Sequence, residues 1–151
     1  MLEHGGRLRE AATRFGIPLA DWLDLSTGIA PEPYPVPPLP ARCWHRLPED
    51  DDGLEAAAAA YYGSAELLPV PGSQGAIQAL PALLPGRRVS LLAPAYAEHA
   101  HAWRTRAPRL CTADALDAAV AQSDVVVLVT PNNPTGAAFS RTQLLDWHAR
   151  L

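Results

Sequence analysis

Two short stretches carry the residue types best suited to chemistry. The first is Pro71-Gly72-Ser73-Gln74-Gly75-Ala76-Ile77, where Gly72 permits a sharp turn and Ser73, Gln74 and Gly75 begin a helical pattern. Backbone amides at such a helix start attract phosphate. Glycine and serine also serve ordinary turns, so by itself this loop leaves a phosphate cradle and a plain turn both open. It is neither the Gly-x-Gly-x-x-Gly dinucleotide pattern nor a P-loop, which requires a lysine. The second stretch is Thr130-Pro131-Asn132-Asn133-Pro134-Thr135-Gly136, placed directly after a run of four valines and a leucine at 125–129. Its prolines fix φ, and each asparagine carries an amide able to donate and accept. An asparagine held this stiffly can address one defined atom.

Other candidates are weaker. His99 and His101 stand two apart, a spacing that points them to different sides of a helix and argues against a shared metal. Ser73 has no histidine and acid in suitable loops, which disfavours nucleophilic hydrolysis. The acidic run at 49–52 precedes a helix start, where negative charge complements the dipole. Trp103 reads as core. Cys43 and Cys111 lack any metal-like spacing.

The elements around the two loops follow from periodicity. Leu8, Ala11, Ala12 and Phe15 recur at helical spacing until Gly16 and Pro18. Six of the ten residues at 31–40 are proline, which makes that segment an extended connector. Asp52 and Glu55 have capping-box spacing ahead of a helix that ends at Gly63. From residue 67 onward, apolar runs at 67–70, 88–93, 109–112 and 124–130 alternate with helical stretches near 75–84, 96–106 and 113–121. This alternation predicts an α/β fold with a mainly parallel sheet flanked by helices, its ligands at the carboxyl ends of the strands. A last helix opens at Ser140 and Gln143 and shows Leu144, Leu145, His148 and Leu151 on one side. It carries no stop signal, and four strands would leave the sheet partly uncovered. The expectation is the amino-terminal part of a longer protein.

Bulk properties exclude several classes. With 151 residues, 48% of them apolar, the chain can bury a core. A net charge of −4 offers no basic surface for nucleic acid, and no window is apolar for long enough to span a membrane. The amino terminus does not read as a signal peptide, so a cytoplasmic setting is expected. All 12 basic residues are arginines, and the chain therefore contains no lysine.

Taken together, the two loops resemble the fold-type I enzymes that use pyridoxal phosphate, in which an Asn-Pro-x-Gly loop follows a central strand. Within that group, His4-Gly5-Gly6, the segment Asp24-Leu25-Ser26-Thr27-Gly28-Ile29-Ala30-Pro31, the 71–77 loop and the segment at 94–103 are most similar to threonine-phosphate decarboxylases of cobalamin biosynthesis. The resemblance runs from His4 to the chain end and covers roughly the first two fifths of such an enzyme. It implies that residues 1–50 form an amino-terminal arm and small-domain segment, and that residues 51–151 begin the cofactor-binding large domain. It further implies a homodimer acting on a small phosphorylated amino acid. The cofactor phosphate would rest at Gly72, Ser73 and Gln74. Tyr96 would stack on the pyridine ring, and Asn133, often joined to its proline by a cis bond in this family, would hydrogen-bond the phenolic oxygen. His4 would lie near the substrate's phosphate.

The pattern is not complete. Ala30-Pro31 stands where the family has Asn-Pro, and Leu47-Pro48 where related aminotransferases have Tyr-Pro. The family's chemistry also needs a lysine that condenses with the cofactor and an aspartate on the pyridinium nitrogen, both beyond the Asn-Pro loop. Without them this chain alone is expected to be inactive, with no catalytic residue of its own. An aminotransferase similar to those acting on histidinol phosphate, and a non-catalytic phosphate-binding or assembly domain, stand as the alternatives.

Overall fold

A computed structural model describes residues 4–30, 32–47, 49 and 51–151. Pro31 and Pro48, which belong to the two departures from the family pattern, and Asp50 of the acidic run lie outside the described residues. The chain divides into two compact units, Met1–Ala65 and Glu66–Leu151.

In the first unit, helix α1 spans Leu8–Phe15 and ends at Gly16, as its apolar spacing predicts. Leu8, Ala11 and Ala12 are half-buried, and the Phe15 ring lies 6.0 Å from that of Trp22. The described part of the proline-rich segment, 32–40, has no regular element and leads to a 3-10 turn at Ala41–Trp44. Helix α2 spans Leu54–Tyr62, and the amide of Gly63 closes it on the Ala59 carbonyl. Its cap differs from the expected box: Gly53 occupies the capping position, and the Asp52 carboxylate accepts from the Leu54 amide at 2.9 Å. Asp52 thus makes a local turn one residue early.

The second unit holds helix α3 (Gly72–Leu83), strand β1 (Val89–Leu92), helix α4 (Ala97–Trp103), strand β2 (Arg109–Cys111), helix α5 (Leu116–Val120), strand β3 (Val125–Val127) and helix α6 (Arg141–Arg150). Among the described residues the sheet has three strands in the order β2-β1-β3, all parallel. Leu91 pairs with Leu110 on one side and Val127 on the other. The run at 67–70 was expected to be a strand and is not one. Pro69 within it has no amide to give to a ladder, and no neighbouring segment of the unit pairs with it.

Alternation along the strands supplies both faces of the core. Val89, Leu91, Val125 and Val127 pack with Trp103, which is 1% exposed, on the α4 side. Leu92, Val126 and Leu128 pack with Leu116, Ala119, Val120 and Trp147 on the other. Each fully buried apolar side chain of this size contributes roughly 1.5–3 kcal/mol relative to exposure. Ser90 is buried among these and is satisfied by the Ser123 hydroxyl at 2.8 Å, which itself donates to the Ala119 carbonyl.

Helix α6 begins as predicted, with the Ser140 hydroxyl accepting from the Gln143 amide at 3.2 Å. Its buried side is not the expected one. Leu144 and Trp147 face the core, whereas Leu145, His148 and Leu151 are exposed. Trp147 wins because it meets Phe139 at 5.2 Å and donates its indole N–H to Asp117 at 2.8 Å. Arg150 donates to the same Asp117 oxygen at 2.5 Å, and the Trp147 bond first, then that of Arg150, holds the Asp117 carboxyl below its ordinary pKa.

Candidate functional site

The loop after β3 is built from its own main chain. The Asn132 amide donates to the Ala137 carbonyl at 2.7 Å, and the Gly136 amide returns to the Asn132 carbonyl at 2.6 Å. Thr130 ties the far side by accepting from the Phe139 amide at 3.0 Å. Closing the turn this way leaves Asn133, Pro134 and Thr135 at its exposed tip. The Asn133-Pro134 peptide bond is cis, as are Thr130-Pro131 and Ala93-Pro94. The Asn133 side chain is exposed and has no hydrogen-bond partner among the described residues, so its amide is free to engage a ligand.

Its neighbour Asn132 is the opposite, 3% exposed. The Asn132 Nδ2 group donates to the Pro94 carbonyl at 2.8 Å and to the Thr135 hydroxyl oxygen at 2.7 Å. Pro94 belongs to the loop after β1, so this side chain joins the carboxyl-end loops of two adjacent parallel strands. Two residues past Pro94, Tyr96 takes the capping position of α4 with 39% exposure and stands edge-on to His99, ring centroids 6.1 Å apart. Burial pushes the His99 imidazole below its ordinary pKa. The sequence marked both asparagines but gave a role only to the second. The doubled asparagine was the available signal for the first.

Helix α3 brings the other loop to the same edge. It packs along α4, and at the far ends of the two helices Arg106 donates to the Pro81 and Gly86 carbonyls. With their carboxyl ends together, the starts of α3 and α4 lie toward the same side of the sheet, the side reached by β1 and β3. Pro71 caps α3 without any side-chain bond to its first amides. Gly72 has φ +76°, and an added Cβ there would meet nothing within 4 Å. Ser73 and Gln74 are exposed in the first turn.

This donor set fits a phosphorylated aromatic cofactor. An uncapped helix start offers amides to an anion, the space before Gly72 is open, and a separate exposed amide at Asn133 is available to a ring oxygen.

His4 lies in the other unit, where it is exposed. The segment that follows it is held close to 24–28. The Gly6 amide donates to the Ser26 hydroxyl oxygen at 2.8 Å, and that hydroxyl donates to Asp24 at 2.6 Å. Ser26 holds the Asp24 carboxyl below its ordinary pKa, chiefly through the hydroxyl and also through its backbone amide. A Cβ on Gly5 would come within 2.1 Å of the Ser26 carbonyl oxygen, so only glycine fits there. The two amino-terminal motifs are thus one packed unit.

Residues 45–149 match the aminotransferase class I and II family. The chain belongs to that family. Pyridoxal-phosphate dependence is a property of the family. Among curated relatives of this aminotransferase-family chain is a threonine-phosphate decarboxylase of Pseudomonas aeruginosa, 59% identical over the whole chain and 46% of that protein. Another, of Sinorhizobium sp, is 45% identical over 97% of the chain and 46% of its own length. A third, of Salmonella typhimurium, is 33% identical over 88% of the chain and 42% of its own length. The chain spans about half the length of these relatives. No described helix is long and apolar enough to cross a membrane, and no group of potential metal ligands occurs among the described residues.

Proposed function

We propose that the complete protein is a pyridoxal-phosphate-dependent threonine-phosphate decarboxylase, forming aminopropanol phosphate for cobalamin synthesis, and that this chain supplies part of its cofactor site. The observation that carries the proposal is 59% identity, along the whole chain, to a protein of that name. The homodimer, the cytoplasmic setting and a division after residue 50 into arm and large domain belong to the same proposal.

When bound, pyridoxal phosphate supplies a sink for the electron pair released as the substrate bond breaks. The residues of this chain bind and orient. Amides at Ser73 and Gln74 hold the phosphate, and Gly72 keeps the approach clear of a side chain. The Tyr96 ring covers one face of the pyridine. Asn133 donates to the phenolic oxygen and favours its anionic form. His4 contributes to the substrate's phosphate. The chain has no lysine, so covalent attachment of the cofactor is assigned to a residue outside these 151.

A second reading, an aminotransferase similar to those acting on histidinol phosphate, draws on the family's own description as aminotransferases. Carboxyl-labelled threonine phosphate separates the two. Release of labelled carbon dioxide with one aminopropanol phosphate per turnover supports decarboxylation. Retention of the label in a keto acid supports amino transfer.

A further inference from the structure

We propose that Asn132 is a positioning residue, which sets the distance between Asn133 and Tyr96 by clamping the loop after β3 to the loop after β1. The proposal rests on the reading of this sheet edge as a cofactor site. Asn132 is buried, and both Nδ2 hydrogens are committed, one to Pro94 of the other strand's loop and one to Thr135 of its own. The orientation of the amide is fixed, because a carbonyl only accepts and Nδ2 must therefore face Pro94. Its Oδ1 atom is buried without a donor among the described residues. Burying an acceptor unsatisfied costs stability, and an apolar side chain of similar size would avoid that cost. What only the amide provides is the bond between loops 38 residues apart.

Asn133 is the next residue along one clamped loop, and Tyr96 is two residues along the other. Releasing the clamp frees the groups assigned to the ring oxygen and the ring face from each other. The main-chain bonds of the turn at 132–137 do not involve the side chain and can still form in that event, but without its ties to Pro94 and Thr135 the turn opens more often.

The test uses the complete protein and Asn132→Asp, which preserves shape but sets an oxygen against the Pro94 carbonyl. Without cofactor, amide hydrogen exchange should accelerate at least tenfold in residues 93–97 as well as in 132–137. With pyridoxal phosphate, the pH midpoint of the bound cofactor's visible band should move upward as the bond to its phenolic oxygen weakens. Thr135→Val, which keeps the Pro94 bond, should loosen 132–137 and leave 93–97 unchanged. Should Asn132→Asp not fold, Asn132→Ser is read by the same two measurements. Acceleration confined to 132–137, no acceleration, or an unmoved midpoint overturns the proposal. A wild-type protein that binds no pyridoxal phosphate refutes the cofactor reading instead, and the exchange data then still decide whether Asn132 couples the loops.

Discussion

The Asn132 side chain donates to the Pro94 carbonyl at 2.8 Å and thereby joins the loops that leave β3 and β1. The two strands are neighbours in a parallel sheet, so their following loops open on the same edge. Asn133 and Tyr96 sit one residue and two residues from the ends of this bond. Helix α3 points its start to that edge as well.

Replacing Asn133 by alanine in the complete protein should remove one charge-assisted hydrogen bond to the cofactor, about 1.5–3 kcal/mol. The phenolic oxygen then protonates more readily. Absorbance of the bound cofactor across a pH series measures the effect, and an unchanged spectrum counts against the role of Asn133.

The 151-residue chain, mixed with pyridoxal phosphate and treated with borohydride, should yield no adduct on an internal side chain, because it contains no lysine. Peptide mass mapping checks this. The same chain should not turn over threonine phosphate.

Stability should weaken in acid through Asp124. Its carboxylate accepts from Arg88 Nε at 2.9 Å and from the Arg87 and Arg88 amides at 2.9 Å each, joining the start of β3 to that of β1. The Arg88 side chain, then these amides, hold its folded pKa well below the ordinary value. Because the folded pKa is the lower one, the contribution is complete above about pH 5, beyond the unfolded carboxyl near 3.9, and is lost as pH falls through the folded value. Denaturation of the complete protein from pH 6 to 2 should show a shallower decline in Asp124→Asn than in wild type.

Trp147→Ala should destabilise the protein by about 3–5 kcal/mol through the cavity left among Leu92, Leu116 and Val120. Trp147→Phe keeps most of the apolar burial and gives up the bond to Asp117, about 1 kcal/mol. Urea titration of the two variants separates packing from hydrogen bonding.

What the sequence made legible was local. Gly16 and Gly63 ended helices where expected, and the apolar runs around Leu91 and Val126 became strands, the first buried at the centre of the described sheet and the second half-buried at its edge. Position 67–70 misled because apolar content alone does not supply a pairing partner. The buried side of α6 depends on where Asp117 and Phe139 lie, and helical periodicity could not choose Trp147 over Leu145. Likewise, two adjacent asparagines read alike in sequence. Only the position of the Pro94 carbonyl makes Asn132 the structural one and leaves Asn133 exposed.

The most direct measurement is a crystal structure of the complete protein with pyridoxal phosphate. The account predicts the cofactor phosphate on the Ser73 and Gln74 amides, Tyr96 over one ring face, and Asn133 Nδ2 within about 3 Å of the phenolic oxygen. A cofactor bound elsewhere, or Asn133 turned to solvent with the ring in place, would contradict it.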